Sequence, residues 1–157
     1  MRIFIGQHDR AIDSKNRIQI PSQFRAAIDP AQGGAGFYVT LGESPRTLSI
    51  YPERYFEELA GRVETEYMPG EESRRFELQF YALASHVDMD GQGRIVLPDK
   101  LRRKARLEGE VCLVGQKHRI DIWGREELNR SLGVDWEGDD WPDWQRFTRM
   151  RPGEQAP

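Results

Sequence analysis

The sequence has a single cysteine and no long apolar run. Cys112 is the one cysteine among 157 residues, which excludes an internal disulfide and indicates a reducing compartment. The apolar runs are only a few residues long, whereas a membrane-spanning helix needs roughly 18 residues, and no charged segment leads into an apolar leader. With 38% hydrophobic and 31% charged residues, the chain is predicted to be cytoplasmic, without a membrane partner, and to form one domain or two small ones.

The sequence also lacks a constellation of catalytic or metal-binding residues. It contains no phosphate-binding loop, no nucleophile elbow and no paired zinc-ligand spacing, and its three histidines are scattered. The run 88–99 has the carboxylate spacing of a calcium-binding loop, but Asp99 stands where the bidentate glutamate belongs and Pro98 precedes it. We therefore expect no enzymatic activity, no metal, no cofactor and no small-molecule substrate.

Charge is unevenly distributed along the chain. The formal net charge is -3, yet residues 1–27 carry five basic and two acidic side chains, and residues 94–106 carry six basic and one acidic. Segment 134–144 has five acidic residues, no basic ones and three tryptophans. Clusters of like charge are often ordinary solvated surface, but two basic islands on an acidic chain favour an anionic partner.

The two basic islands are copies of one another. Residues 13–25 align with residues 90–102 at an offset of 77, and residues 47–51 align with 119–123 at an offset of 72. Five pairs in the first alignment are identical: Asp13 and Asp90, Arg17 and Arg94, Ile18 and Ile95, Pro21 and Pro98, Arg25 and Arg102. The chain is therefore predicted to contain two repeats, 1–60 and 84–132, a helical connector over 61–83 and an acidic, tryptophan-rich tail over 133–157.

Each repeat is predicted to open with a strand, a turn, a second strand and a short helix. Apolar residues alternate on either side of the polar turns at 13–16 and 90–93, which indicates hairpins. Pro21 and Pro98 end the second strand, and Ser22 and Asp99 then stand where a helix N-cap belongs. Further strands are predicted at 37–41, 48–51, 111–115 and 120–123, and further helices at 52–63, 71–83 and 125–132.

The aspartate and arginine of each turn suggest two different roles. An aspartate at the first position of a tight turn accepts backbone N–H bonds, so Asp13 and Asp90 are predicted to stabilise the turns. Arg17 and Arg94 begin the return strands, where the following isoleucine is predicted to face the core and the arginine to be exposed. Exposed strand arginines are usually just solvated. A two-stranded ribbon, however, fits the major groove of DNA, where arginine makes a bidentate contact with guanine.

The paired motifs resemble those of the MraZ family. They are Asp-x-Lys-x-Arg-Ile-x-Ile-Pro from residue 13, Asp-x-x-Gly-Arg-Ile-x-Leu-Pro from residue 90, Val114-Gly115, and Ile-Asp-Ile-Trp over 120–123. The resemblance covers about residues 1 to 130. It implies an α+β fold of two tandem AbrB-like swapped-hairpin β-units, packed as a pseudo-two-fold double barrel with short helices.

The resemblance also implies a function. It implies a transcription factor that represses the division and cell-wall gene cluster containing its own gene, binds tandem short G-containing promoter repeats as a ring-shaped homo-oligomer, and is associated with the nucleoid. The DNA-binding positions are Lys15, Asn16, Arg17, Gln92 and Arg94, and the turn or structural positions are Asp13, Asp90, Gly93, Pro21 and Pro98. An oligomeric scaffold or antitoxin-like protein-binding module of the same fold is the alternative.

Two features fall outside the family pattern. Asn16 stands where the family usually has glycine, but asparagine tolerates positive φ better than other residues, so we expect the turn to form. The tail has too many aromatic residues for a purely solvated segment, and we expect it to pack on its own or a neighbouring subunit. A frayed terminus is the alternative.

Overall fold

The computed structural model describes residues 3–28, 36–65, 70–135 and 137–145. The strands are β1 Gln7–Ala11, β2 Arg17–Gln19, β3 Gly36–Leu41, β4 Leu48–Pro52, β5 Ser85–Asp88, β6 Arg94–Val96, β7 Glu110–Gln116 and β8 Arg119–Trp123. The helices are α1 Ser22–Ala27, α2 Glu53–Thr65, α3 Glu71–Ala82, α4 Asp99–Ala105 and α5 Arg125–Leu132. The predicted mixed α+β class is confirmed, and the predicted strands and helices lie within a few residues of these bounds.

The strands form one large antiparallel sheet and one small ribbon. The six-stranded sheet has the order β1-β7-β8-β4-β3-β5, and β2 pairs with β6 alone. The first strand of each repeat therefore pairs in the other repeat, since β1 lies beside β7 and β5 lies beside β3. The predicted turns form. The prediction that each turn joins two strands that pair with each other is wrong. Asp13 N–H bonds to the Arg17 carbonyl at 3.0 Å, after which β2 leaves β1 to pair with β6.

The pairing register brings equivalent residues of the two repeats face to face. Ile18 is opposite Ile95 in the β2–β6 ribbon, and Ser49 is opposite Asp121 in the β4–β8 pair. An antiparallel pair centred on equivalent positions has a local two-fold axis between its strands, as in an isologous interface. At the second centre the facing residues are also hydrogen-bonded, because the Ser49 hydroxyl donates to the buried carboxylate of Asp121 at 2.7 Å.

The core is built from alternate residues of these strands. Ile18 and Ile95 are each 1% exposed, and Ile20 and Leu97 are fully buried. The same cluster includes further side chains from the large sheet and the short helices, namely Phe24, Val39, Ile50, Leu101, Leu113 and Ile122. Each such side chain contributes about 1.5–3 kcal/mol relative to an exposed one. The underside of the ribbon is thus held in the core shared by both repeats.

The N-cap prediction for the two short helices is wrong by one position. Pro21 and Pro98 are the caps, with extended ψ angles of 142° and 124°, and neither cap makes a side-chain hydrogen bond. Their carbonyls accept the first helical bonds, from Arg25 N–H at 3.0 Å and Arg102 N–H at 2.9 Å. Proline suits this place because it lacks the N–H that a helix start would leave without a partner.

The residues divide into two compact units, Met1–Arg125 and Glu126–Pro157. In the first, Cys112 is a free, buried thiol. In the second, Trp141 and Trp144 are 83% and 61% exposed, while Trp136 lies outside the described residues. Packing of the tail on its own or a neighbouring subunit stays a prediction. No helix in the described ranges is long and apolar enough to cross a membrane.

Gly115 tests the close approach to β7 of the segment that precedes β1. A Cβ built on Gly115 would lie 2.4 Å from the backbone nitrogen of Ile5 and 2.5 Å from the carbonyl carbon of Phe4. Backbone atoms cannot move aside cheaply, so Gly115→Ala should lower the free energy of unfolding by about 1–3 kcal/mol. Gly124→Ala is the control, because nothing lies within 4 Å of its Cβ. Equal denaturation midpoints for the two variants in urea would contradict the strand placement.

Candidate nucleic-acid interface

The β2–β6 ribbon has one buried face and one outer face. Beyond its named strands it is extended by bonds from Leu97 N–H to the Asn16 carbonyl at 2.8 Å and from Ile20 N–H to the Gly93 carbonyl at 2.9 Å. Because Ile18 and Ile95 face the core, the flanking positions in each strand lie on the opposite face. That outer face carries Arg17, Gln19, Arg94 and Val96.

Each ribbon strand is preceded by an aspartate-bonded turn. Asp13 Oδ1 accepts the backbone N–H groups of Lys15 and Arg17, both at 2.9 Å. Asp90 Oδ1 accepts those of Gln92 and Arg94, also at 2.9 Å. The predicted DNA-binding residues Lys15 and Gln92 are therefore equivalent, exposed positions at the two turn tips.

The same two carboxylates hold the ribbon arginines. Arg17 Nε donates to Asp13 Oδ2 at 2.7 Å, and Arg94 Nε donates to Asp90 Oδ2 at 2.9 Å. The side chains are 31% and 28% exposed, so the two arginines are half-buried and not exposed as predicted, because each stem and Nε is held against its own turn. Among the described residues, neither guanidinium donates through Nη1 or Nη2.

Hydrogen bonding lowers the pKa of both turn aspartates. The backbone N–H of Arg17, followed by its side chain and the N–H of Lys15, outweighs burial and lowers the pKa of Asp13 below its ordinary value. Arg94 and Gln92 lower the pKa of Asp90 in the same order. Both carboxylates are consequently charged at neutral pH and pair with the arginines.

The last residue of each turn adopts a left-handed backbone conformation, but the residue type differs between the two turns. Asn16 has φ 58° and its equivalent Gly93 has φ 78°, so the turn forms with asparagine as expected. Asn16 Nδ2 also donates to Asp99 Oδ1 at 3.2 Å. A Cβ on Gly93 would lie 2.8 Å from the guanidinium of Arg25. Asparagine fits the first turn, whereas the second has no room for a side chain unless Arg25 moves.

Two further residues of the outer face were not among the predicted site residues. Gln19 and Val96 flank the buried isoleucines in the same alternation that identified the arginines, so period-two spacing alone could have found them. Gln19 Nε2 donates to the Gln92 carbonyl at 2.6 Å, which connects the first repeat to the second turn. Pro21 and Pro98 lie beyond the ribbon, at the helix caps.

In the described part of the chain, no three His, Cys, Asp or Glu side chains are grouped so that they could hold a metal ion. Asp90, which falls within the calcium-loop spacing, instead bonds to its own turn and to Arg94.

An antiparallel ribbon with basic residues on its outer face is the arrangement that β-ribbon transcriptional regulators place in a DNA groove. The family model described as "MraZ protein, putative antitoxin-like" matches residues 80–132. A "Transcriptional regulator MraZ" from Desulforamulus reducens is 34% identical over 82% of this chain and 86% of its own length. Proteins of the same description from Finegoldia magna and Clostridium tetani are 34% and 32% identical, over 80% and 86% of this chain and 83% and 92% of their own lengths. The chain belongs to the MraZ family, a family of transcriptional regulators and not of enzymes, which confirms the resemblance seen in the sequence.

The lowered pKa of Asp90 predicts a loss of stability in acid. A carboxyl whose pKa is lower in the folded state stabilises the fold above its unfolded pKa, about 3.9 for aspartate, and that stabilisation is lost as pH falls through the folded pKa. Asp90→Asn keeps an oxygen acceptor but cannot ionise. Its free energy of unfolding should therefore be lower than wild type at pH 7 and fall less between pH 5 and pH 3. Asp139→Asn, outside the ribbon, controls for net charge. Parallel pH profiles for wild type and Asp90→Asn would contradict the pairing.

Proposed function

We propose that this protein is a sequence-specific regulator that binds double-stranded DNA through the outer face of its β2–β6 ribbon. The observation that supports this most is the repeated arginine pair. Arg17 and Arg94 hold equivalent places on one face, each with Nε bonded to an aspartate. Both Nη atoms of an arginine held in this way can donate to O6 and N7 of one guanine, the commonest specific contact in the major groove.

Pre-organisation by the aspartates favours tight binding. A free arginine side chain loses rotamer freedom when it is immobilised at an interface, at a cost of about 0.5–1.5 kcal/mol. Here the ion pairs restrict Arg17 and Arg94 before DNA is bound. Lys15 and Gln92 at the turn tips, with Asn16 beside Lys15, are proposed to contact the phosphate backbone and groove edges. Phosphate contacts of this kind position the ribbon but carry no sequence information.

We infer that the finer architecture is the tandem AbrB-like double barrel of swapped hairpins. The exchange of β1 and β5 between repeats and the centring of β2–β6 on equivalent isoleucines support it. In this arrangement each repeat supplies one of the two ribbon strands, so DNA recognition by the ribbon depends on both repeats. The boundaries 1–60, 61–83, 84–132 and 133–157 are proposed with it.

Self-assembly into a ring-shaped homo-oligomer is proposed as the source of useful affinity. Tandem promoter repeats would engage several ribbons together, and linkage multiplies weak contacts through effective concentration. The connector helix α3 has no buried residue and exposes Phe76 and Leu78 by 57% and 68%. These side chains supply apolar surface for a second copy of the chain.

The regulated genes are proposed from family membership. We propose that the protein represses the division and cell-wall gene cluster that includes its own gene, acting in the cytoplasm on the nucleoid. Footprinting on the promoter upstream of its own gene tests this assignment. The wild-type protein should protect the promoter DNA, and Arg17→Ala should not. Absence of protection by the wild-type protein would contradict it.

A second function is favoured by the antitoxin-like description of the family model. In that alternative the protein is an oligomeric scaffold or antitoxin-like module whose main partner is another protein, held by apolar surface such as that of α3. The salt dependence of duplex binding distinguishes the two functions. DNA affinity falls steeply as the salt concentration rises, because counterions compete for the neutralised phosphates.

The recognition prediction concerns Arg17→Ala. The variant should fold, but its affinity for a selected duplex should fall about 5- to 150-fold, the equivalent of the 1–3 kcal/mol of one bidentate guanine contact. Its affinity for a scrambled duplex should change little. Arg103→Ala is the matched control, because it also removes an aspartate-paired arginine, with a 2.9 Å bond to Asp99, but from helix α4. Wild-type affinity of Arg17→Ala for the selected duplex, measured by anisotropy at fixed salt, would overturn ribbon recognition.

Self-assembly predicts the mass of the protein in solution and its affinity for one or two promoter boxes. The full chain at micromolar concentration should scatter light as an oligomer and bind two tandem boxes at least about 100-fold more tightly than one. Leu78→Ser, on the exposed side of α3, should reduce both the mass and the advantage of tandem boxes. A monomeric mass for the wild type would contradict this part of the proposal.

A further inference from the structure

Val96 is an apolar residue on an otherwise polar surface. It is 54% exposed, and it lies on the outer face of the ribbon directly opposite Arg17. Its equivalent in the first repeat is Gln19. Since the neighbouring Ile95 is buried, the exposure of Val96 follows from strand alternation and leaves its methyl groups on the face proposed to enter the groove.

The pairing pattern brings Val96 close to the Arg17 side chain. Inter-strand bonds join Asn16 with Leu97 and Ile20 with Gly93. Hydrogen-bonded and non-hydrogen-bonded pairs alternate along an antiparallel ladder, so Arg17 and Val96 form a non-hydrogen-bonded pair, the kind with the closer side chains. Their Cβ atoms are then about 4.5–5.5 Å apart. That separation is comparable with the roughly 3.4 Å between successive bases, so the geometry allows the two side chains to reach neighbouring base pairs.

The major groove offers one apolar group to such a side chain. Guanine, cytosine and adenine carry no methyl group there, whereas thymine presents its C5-methyl group. We propose that Val96 is a specificity-determining residue that contacts the thymine C5-methyl group in the base pair next to the guanine bound by Arg17. The inference rests on the proposed DNA-binding function and adds a second base to the recognised sequence.

The other half of the ribbon lacks this contact. Beside Arg94 the equivalent position is Gln19, whose amide is bonded to the Gln92 carbonyl at 2.6 Å. The two arginines are related by the local two-fold axis, but their neighbours differ in chemistry. The two half-sites therefore differ: the one under Arg17 favours thymine beside guanine, and the one under Arg94 has no such preference. A two-fold symmetric ribbon would read both halves alike.

Deoxyuridine provides the test, because uracil differs from thymine at this edge only by the missing methyl group. A duplex is first selected from a random pool with the full-length protein, and the guanine lost with Arg17→Ala is located by single-base substitution. Each thymine next to that guanine is then replaced by deoxyuridine. Wild-type affinity should fall about fourfold at one position, the ratio that burial of a single methyl group gives.

A double-mutant cycle assigns the loss to Val96. Val96→Ala should bind the thymine duplex more weakly than wild type and should lose the difference between thymine and uracil at that position. Gln19→Ala, at the matched place in the first repeat, should keep the fourfold difference. Circular dichroism and thermal melting serve as controls that both variants fold.

The possible results distinguish failure of the Val96 contact from failure of DNA recognition by the ribbon. If Arg17→Ala loses guanine preference but uracil has no effect on the wild type, or the same effect on Val96→Ala, the Val96 contact is wrong and ribbon recognition stands. A selected guanine without a neighbouring thymine overturns it as well. If no duplex is selected, or Arg17→Ala equals wild type, DNA recognition by the ribbon fails and the Val96 contact fails with it.

Discussion

The pairing of β2 with β6 is the interaction on which the rest of the structure depends. It joins two three-residue strands separated by more than 70 residues of chain, and its central isoleucines are almost fully buried in the shared core. Neither strand pairs with its own neighbour in sequence. A ribbon this short would be unstable by itself in water. Burial of its underside stabilises it, and the outer face is left for binding.

Placing the ribbon on the local two-fold axis has a consequence for its chemistry. The axis places the two turns at opposite ends of the ribbon, so Asp13 with Arg17 and Asp90 with Arg94 form two like ion pairs on its outer face. The carboxylates serve the fold and the surface together, with one oxygen accepting backbone N–H groups and the other accepting Nε. Each arginine is consequently positioned by the turn that precedes it.

The two halves of the molecule are similar but not identical. Asn16 and Gly93 both adopt positive φ, but the guanidinium of Arg25 occupies the space beside Gly93. Ser49 and Asp121 meet across the axis as a hydroxyl and a carboxylate, and Arg119 adds a bond to Asp121 at 3.0 Å. Two identical carboxylates buried there would repel each other, so this centre depends on the difference between the repeats.

Local spacing was sufficient to predict the repeat, the positions of the strands and helices and the aspartate-bonded turns, and the paired motifs carried the resemblance to the family. Alternation placed Ile18 and Ile95 in the core, and the same spacing was enough to place Arg17 and Arg94 on the other face. Which strand pairs with which could not be predicted from that spacing. Local turn chemistry cannot distinguish a hairpin from an exchanged strand, since both begin with the same turn. Only that exchange put Val96 opposite Arg17 and Gln19 beside Gln92. The helix caps were likewise decided by backbone geometry at Pro21 and Pro98, because a proline carbonyl starts a helix as readily as the polar residue after it.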